Sequence, residues 1–142
     1  MPRRVTAAEL RDVLAAAAAL ARAQLRVWTR PTGALVRASA DTPTGADARR
    51  IEGQVLRAGA AVRRAARLSP VAPSCLVRSL ALADVLARAG VPGGLIRLGV
   101  RRDGRALDAH AWVELDGRVI GDDPRHVGRF TPLGAVLPAR RR

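Results

Sequence analysis

The chain has 142 residues, 49% hydrophobic and 2% aromatic, with a formal charge of +13 carried by arginine and no lysine. That composition fits one globular domain with a core of Leu, Val, Ile and Ala, and excludes disordered and membrane classes. A single cysteine excludes an internal disulfide and a Cys-pair metal site, and fits a cytoplasmic chain.

Thr6 and Glu9 have the spacing of a capping box. Leu10, Val13, Leu14, Ala17, Ala21 and Trp28 follow at helical spacing, so a first helix should bury that stripe and end before Pro31 and Gly33. Arg3 and Arg4 ahead of the apolar run Val13 to Ala21 loosely resemble a signal peptide. Glu9 and Asp12 interrupt the approach, however, and alanine is a weak hydrophobe for such a core. No run approaches the ~20 apolar residues needed to span a bilayer, so no membrane partner is expected. Residues 30–46 read as an irregular connection. A second helix is predicted from Asp47 to Leu68, with Ile51, Val55, Val62 and Leu68 as a sparse apolar stripe and its arginines as a solvated face.

Pro70 and Pro73 hold the next loop extended. Ser74 is a good N-cap for a third helix that starts at Cys75 and stops near Gly90 and Pro92. That helix has little polar surface and should be the central, most buried one. The period then changes to alternation. Leu95–Arg102, Leu107–Leu115 and Arg118–Gly121 read as three strands of an antiparallel meander, with turns at Asp103-Gly104 and Asp116-Gly117. The stretch 124–142 is poorly patterned and ends in three arginines, so a loose tail is expected there. The fold class is α+β: N-terminal helices and a Cys-bearing helix packed on a small antiparallel sheet. The whole of 1–142 is expected to form one domain, divided into a helical subregion (1–69), a catalytic core (70–123) and the tail.

A thiol in the first turn of a helix gains from the helix dipole and from the free N–H groups there. Both favour the thiolate, and the same N–H groups can hold the oxyanion of a tetrahedral intermediate. A lone Cys in an Ala-rich helix is commonly just a small buried hydrophobe, so Cys75 alone decides nothing. The strands add partners. Alternation sets His110, Trp112 and Glu114 on one face, with Ala109, Ala111, Val113 and Leu115 on the other.

The carboxylate that faces His110 depends on the turn. With Asp116-Gly117 as a two-residue loop, Leu115 pairs with Arg118 and His110 falls opposite Asp123. With Leu115-Asp116-Gly117 as a three-residue loop, Glu114 pairs with Arg118 and His110 faces Asp122. Asp-Gly suits both loops, so both carboxylates stay open. The chain has no Asn for the third role. His126 is a second candidate base, but its place after Pro124 in an irregular stretch reads as surface.

The block Cys75-Leu76-Val77-Arg78-Ser79-Leu80-Ala81-Leu82 is followed by Gly90-Val91-Pro92, Gly99-Val100-Arg101, His110-Ala111-Trp112-Val113-Glu114, Asp116-Gly117 and Gly121-Asp122. Together they resemble the lasso peptide biosynthesis B2 proteins, leader peptidases of the transglutaminase-like superfamily. The patterned match spans residues 70–123, and the two upstream helices fit the family's layout only loosely. The resemblance implies a papain-like or transglutaminase-like fold and a catalytic triad of Cys75, His110 and Asp122, because the family's third residue lies twelve after its His. Asp123 stays a second choice. Arg78, inside the Cys block, is implied as a contact to substrate or partner, against an ion pair with Asp84 as the plainer alternative. Trp112 is a candidate substrate contact that is better suited to packing against His110.

The activity implied is removal of the leader from a lasso peptide precursor by a cysteine peptidase, through a thioester, with no metal and no cofactor. The partners implied are the precursor peptide, a separate B1 leader-recognition protein and the ATP-dependent lasso cyclase. A separate B1 is expected because the residues before Cys75 read as helices without a β-rich segment. Two other readings compete. One is another acyl-transfer enzyme on the same scaffold. The other is a basic module that binds nucleic acid or protein. The charge comes without an aromatic stacking platform or zinc-finger spacing, which counts against nucleic acid.

Overall fold

The computed structural model describes residues 3–31, 36–38, 48–91 and 94–138. Helix α1 (Ala7–Thr29) opens on the expected capping box: Thr6 Oγ1 accepts from the Glu9 N–H, and the Glu9 carboxylate accepts from the Thr6 N–H at 2.8 Å. Strand β1 (Val36–Ala38), helix α2 (Ala48–Leu68) and helix α3 (Cys75–Arg88) follow. Then come β2 (Leu95–Asp103), β3 (Ala106–Leu115), β4 (Arg118–Ile120), the short helix α4 (Pro124–Val127) and β5 (Thr131–Pro138). The strands form one antiparallel sheet in the order β1-β5-β2-β3-β4. The α+β class and the central Cys-bearing helix are as expected.

Helix α3 packs against α1, α2 and the sheet. Its Val77, Leu80 and Leu86 are among the largest fully buried side chains, with Ile96 of β2 and Val113 of β3. Each such side chain contributes roughly 1.5–3 kcal/mol by leaving water. This contact sets the Cys end of α3 beside the β3–β4 corner.

Helix α1 buries a different face from the one expected. Ala16, Ala19, Leu20 and Ala23 are buried, whereas Leu10, Leu14 and Trp28 are exposed. Alanines let the helix axes approach closely, and α2 answers with Ala58, Ala61 and Ala65. Leu14, Leu25 and Trp28 are left lining an open apolar groove with Leu68, Val71 and Pro73.

Two stretches carry more structure than their sequence suggested. The connection 30–46 contains β1, and the stretch after Asp123 forms α4 and β5. Strand β5 pairs with β2 through a bulge: Leu98 opposes Gly134 while Gly99 opposes Pro132, so Leu133 is the extra residue. Residues 139–142 lie outside the described residues. The first meander turn also shifts by one, since Asp103 pairs with Ala106 and Gly104-Arg105 form the loop.

Candidate active site

Cys75 is the first residue of α3 and is partly buried. Ser74 Oγ accepts from the Val77 N–H at 3.3 Å, and the Ser74 carbonyl accepts from the Arg78 N–H at 3.0 Å. The N–H groups of Cys75 and Leu76 have no such partner among the described residues and point out of the helix start. They are available to an oxyanion forming beside the thiol.

His110 sits mid-strand on β3, opposite Gly99 of β2, and is only 8% exposed. Its Nε2 lies 2.6 Å from Asp122 Oδ2. An ionised carboxylate can only accept, so Nε2 carries the hydrogen and Nδ1 is the ring nitrogen left for proton transfer. The second oxygen of Asp122 accepts from the Asp123 N–H at 2.7 Å. Asp123 itself is the N-cap of α4, its carboxylate accepting from the Arg125 N–H at 2.9 Å.

The turn that delivers Asp122 is the two-residue one. Leu115 pairs with Arg118, and Asp116 and Gly117 take positive φ of 50° and 75°. Continued straight, that ladder would set His110 opposite Asp123. It stops at Val113↔Ile120, and Gly121 then turns with φ 73°. A Cβ on Gly121 would stand 2.8 Å from Leu82 Cδ2, so only glycine fits at this corner. The bend places the Asp122 carboxylate, and not that of Asp123, against His110.

Cys75 and Asp122 line one narrow cleft, together with Arg63, Arg78, Ala111 and Trp112. Trp112 is 2% exposed, its ring centroid 6.0 Å from that of His110, and its indole N–H donates to Glu114 at 2.9 Å. Glu114 also holds Arg97 at 2.9 Å. The indole lies over Gly99, where a Cβ would stand 2.7 Å from its Cη2. Trp112 is thus a fixed wall beside the histidine. Arg78 is exposed at the cleft. The ion pair considered between Arg78 and Asp84 does not form, because Asp84 is taken by Arg22 at 2.9 Å and Arg88 at 3.2 Å.

Two residues join the site that sequence reasoning placed elsewhere or passed over. His126 is half-buried, its ring edge-on to His110 at 4.8 Å, where a surface position was expected. Helix α4 folds over the β3 face because Val127 and Phe130 bury against Trp112. Phe130 stacks on His110 at 5.1 Å. It is the one phenylalanine of the chain, which was the only signal available. Among the described residues, no group of three or more His, Cys, Asp or Glu side chains could hold a metal ion.

The model of the transglutaminase-like superfamily matches residues 13–135. The chain belongs to that superfamily. The match covers α1 from Val13, all of α2, the whole α3–β4 unit and α4, so the superfamily scaffold takes in every residue of the cleft. This is a scaffold of cysteine-peptidase and acyltransferase type. No curated protein and no solved structure matches the chain. Among the described residues, no helix is long and apolar enough to cross a membrane.

Proposed function

We propose that this protein is a cysteine peptidase that removes the leader from a lasso peptide precursor, with Cys75 as nucleophile, His110 as acid and base, and Asp122 orienting the histidine. The observation that carries the reading is the 2.6 Å contact of His110 with Asp122, a residue that lines one cleft together with Cys75 at its helix start. The sequence pattern of residues 70–123 supports the lasso assignment within the superfamily.

The thiolate of Cys75 attacks the carbonyl at the leader–core junction, and the oxyanion forms beside the free N–H groups of the helix start. The imidazolium of His110 donates its proton to the leaving amine, the C–N bond breaks, and the leader stays on sulfur as a thioester. Water then attacks, His110 takes its proton, and the thiolate is released. The core peptide leaves with a free N-terminal amine for a separate ATP-dependent cyclase. A separate B1 protein presents the leader, and the work is cytoplasmic. No cofactor enters any step.

The test mixes the purified chain with B1 and the precursor and follows the products by mass spectrometry, beside a Cys75→Ala variant. Cleavage at one bond by the wild type alone supports the peptidase. A product retaining the leader in a new amide linkage points to another acyl transfer on the same scaffold. Cleavage by both proteins, or by neither while B1 binds leader and chain, sinks the triad reading.

A further inference from the structure

The cleft at Cys75 is small, about 30 Å³, which is room for roughly two or three waters. It can take a main-chain carbonyl but not a large side chain. A second cavity of about 130 Å³ adjoins it between α2 and the β3–β4 hairpin, with space for roughly ten waters. The two adjoin and share Gly59, Arg63, Ile120 and Gly121 as walls. The larger one is mainly apolar, lined by Ile51, Val55, Leu56, Leu115 and Val119, with Asp116 and the Glu52–Arg118 pair (3.4 Å) also on its wall.

The junction is set by a close backbone approach. A Cβ on Gly59 would stand 3.3 Å from Gly121 Cα. The guanidinium of Arg63 lies over the same point, its Nη1 3.5 Å away. Arg63 and Arg78 are exposed and make no ion pair among the described residues. The one carboxylate lining the Cys75 cleft, Asp122, is committed to His110 and to the Asp123 N–H. A carboxylate entering beside Arg63 and Arg78 therefore meets positive charge without an ion-pair partner, with a mainly apolar cavity beyond it.

We infer that this groove is a side-chain subsite for the peptide acylated on Cys75, taking a large apolar residue in the α2–β4 cavity and an acidic residue against Arg63. The inference rests on the acyl-transfer reading of Cys75 and adds a substrate class to it. The occupant is the substrate chain itself, because the cavity shares four wall residues with the cleft that Cys75 lines. A basic residue is disfavoured at the junction by like charge, and a small residue leaves the cavity unfilled.

The test uses the full chain and blocked hexapeptides carrying Leu with Glu, Ala with Glu, or Leu with Arg, in both orders, on a glycine-serine background. Each is scored by how far it slows alkylation of Cys75 by iodoacetamide. The rates without peptide, wild type against His110→Ala, read the underlying chemistry separately. A slower variant supports it, and equal rates overturn it together with the subsite. Where the variant is slower, the subsite predicts several-fold stronger protection by Leu with Glu than by either other pair. Arg63→Glu then transfers the preference to Leu with Arg, and Leu56→Trp removes the advantage of Leu over Ala while keeping that of Glu. Both substitutions are at exposed positions and leave the core intact. Equal protection by all three peptides, or an unchanged preference in Arg63→Glu, overturns the subsite and leaves the Cys75–His110 reading standing.

Discussion

His110 Nε2 lies 2.6 Å from Asp122 Oδ2 although the hairpin between them is in the register that aims His110 at Asp123. Gly121 makes the difference, with φ 73° and no room for a Cβ beside Leu82. Gly121→Ala should therefore do two things. Left-handed strain costs about 1–3 kcal/mol, and the clash with Leu82 shifts the corner that carries Asp122. Urea unfolding should show a lower midpoint and the cleavage assay a lower rate. Gly117→Ala, with positive φ but open space around it, should lose stability and keep its activity.

The two neighbouring aspartates have separate jobs. Asp122→Ala removes the group that fixes the His110 tautomer and should slow turnover by roughly 10²–10⁴-fold. Asp123→Ala removes the cap of a four-residue helix and should cost about 1 kcal/mol of stability with a far smaller kinetic effect. Steady-state rates and denaturant midpoints on both variants separate the roles. Equal slowing by the two substitutions contradicts the assignment.

Much of this arrangement could be read from the sequence. Thr6 with Glu9 and Ser74 ahead of Cys75 marked two helix starts, because capping needs those residue types at those spacings. Alternation around His110 gave the correct faces of β3. Other features depended on the assembled fold. Helix α1 buries alanines in preference to its leucine stripe, which turns on how closely the axes approach and not on hydrophobicity. Strand β5 carries Pro132 and Pro138 and contains a bulge at Leu133, so no period-2 pattern announced it. Asp116-Gly117 suits either loop, so the sequence left both aspartates open; the register adopted aims at Asp123, and the left-handed turn at Gly121 that brings in Asp122 is invisible in residue spacing. Arg63, His126 and Phe130 reach the site from separate elements, so only tertiary packing brings them there.

The wall beside His110 is sensitive to volume. Gly99→Ala would put a methyl 2.7 Å from Trp112 Cη2 and 3.0 Å from Phe130 Cβ. Overpacking of this kind costs about 1–3 kcal/mol, and the displaced indole would press on His110. Trp112→Phe instead removes the N–H donated to Glu114, which keeps its bond to Arg97. That change should cost about 1 kcal/mol for the hydrogen bond and more for the volume the smaller ring leaves empty. Thermal unfolding should show a lower Tm for both variants than for the wild type.

Asp84 ties α1 to α3. Burial raises the affinity of its carboxyl for a proton, but the hydrogen bonds and charges of Arg22 and Arg88 outweigh that and hold it below the usual carboxylate range. A folded-state value below the unfolded one means stability that is present above the unfolded value and lost as pH falls through the folded one. The loss should therefore begin below about pH 4. Asp84→Asn also removes the counter-charge at 2.9 Å from the Arg22 guanidinium, whose buried Nε already has no hydrogen-bond partner. The variant should be less stable than the wild type at pH 7, and the gap should narrow on acidification. A gap that widens as pH falls contradicts the account.

The central claim is that Cys75 carries the leader as a thioester. The direct measurement is acid quenching of the wild type with precursor and B1 in the first turnover, followed by intact-protein mass spectrometry and mapping of the adduct. The account predicts a mass increase equal to the bound leader, located on Cys75. The adduct should be absent in Cys75→Ala and slow to form in His110→Ala. Leader release with no adduct at any quench time, continuing in Cys75→Ala, would contradict it.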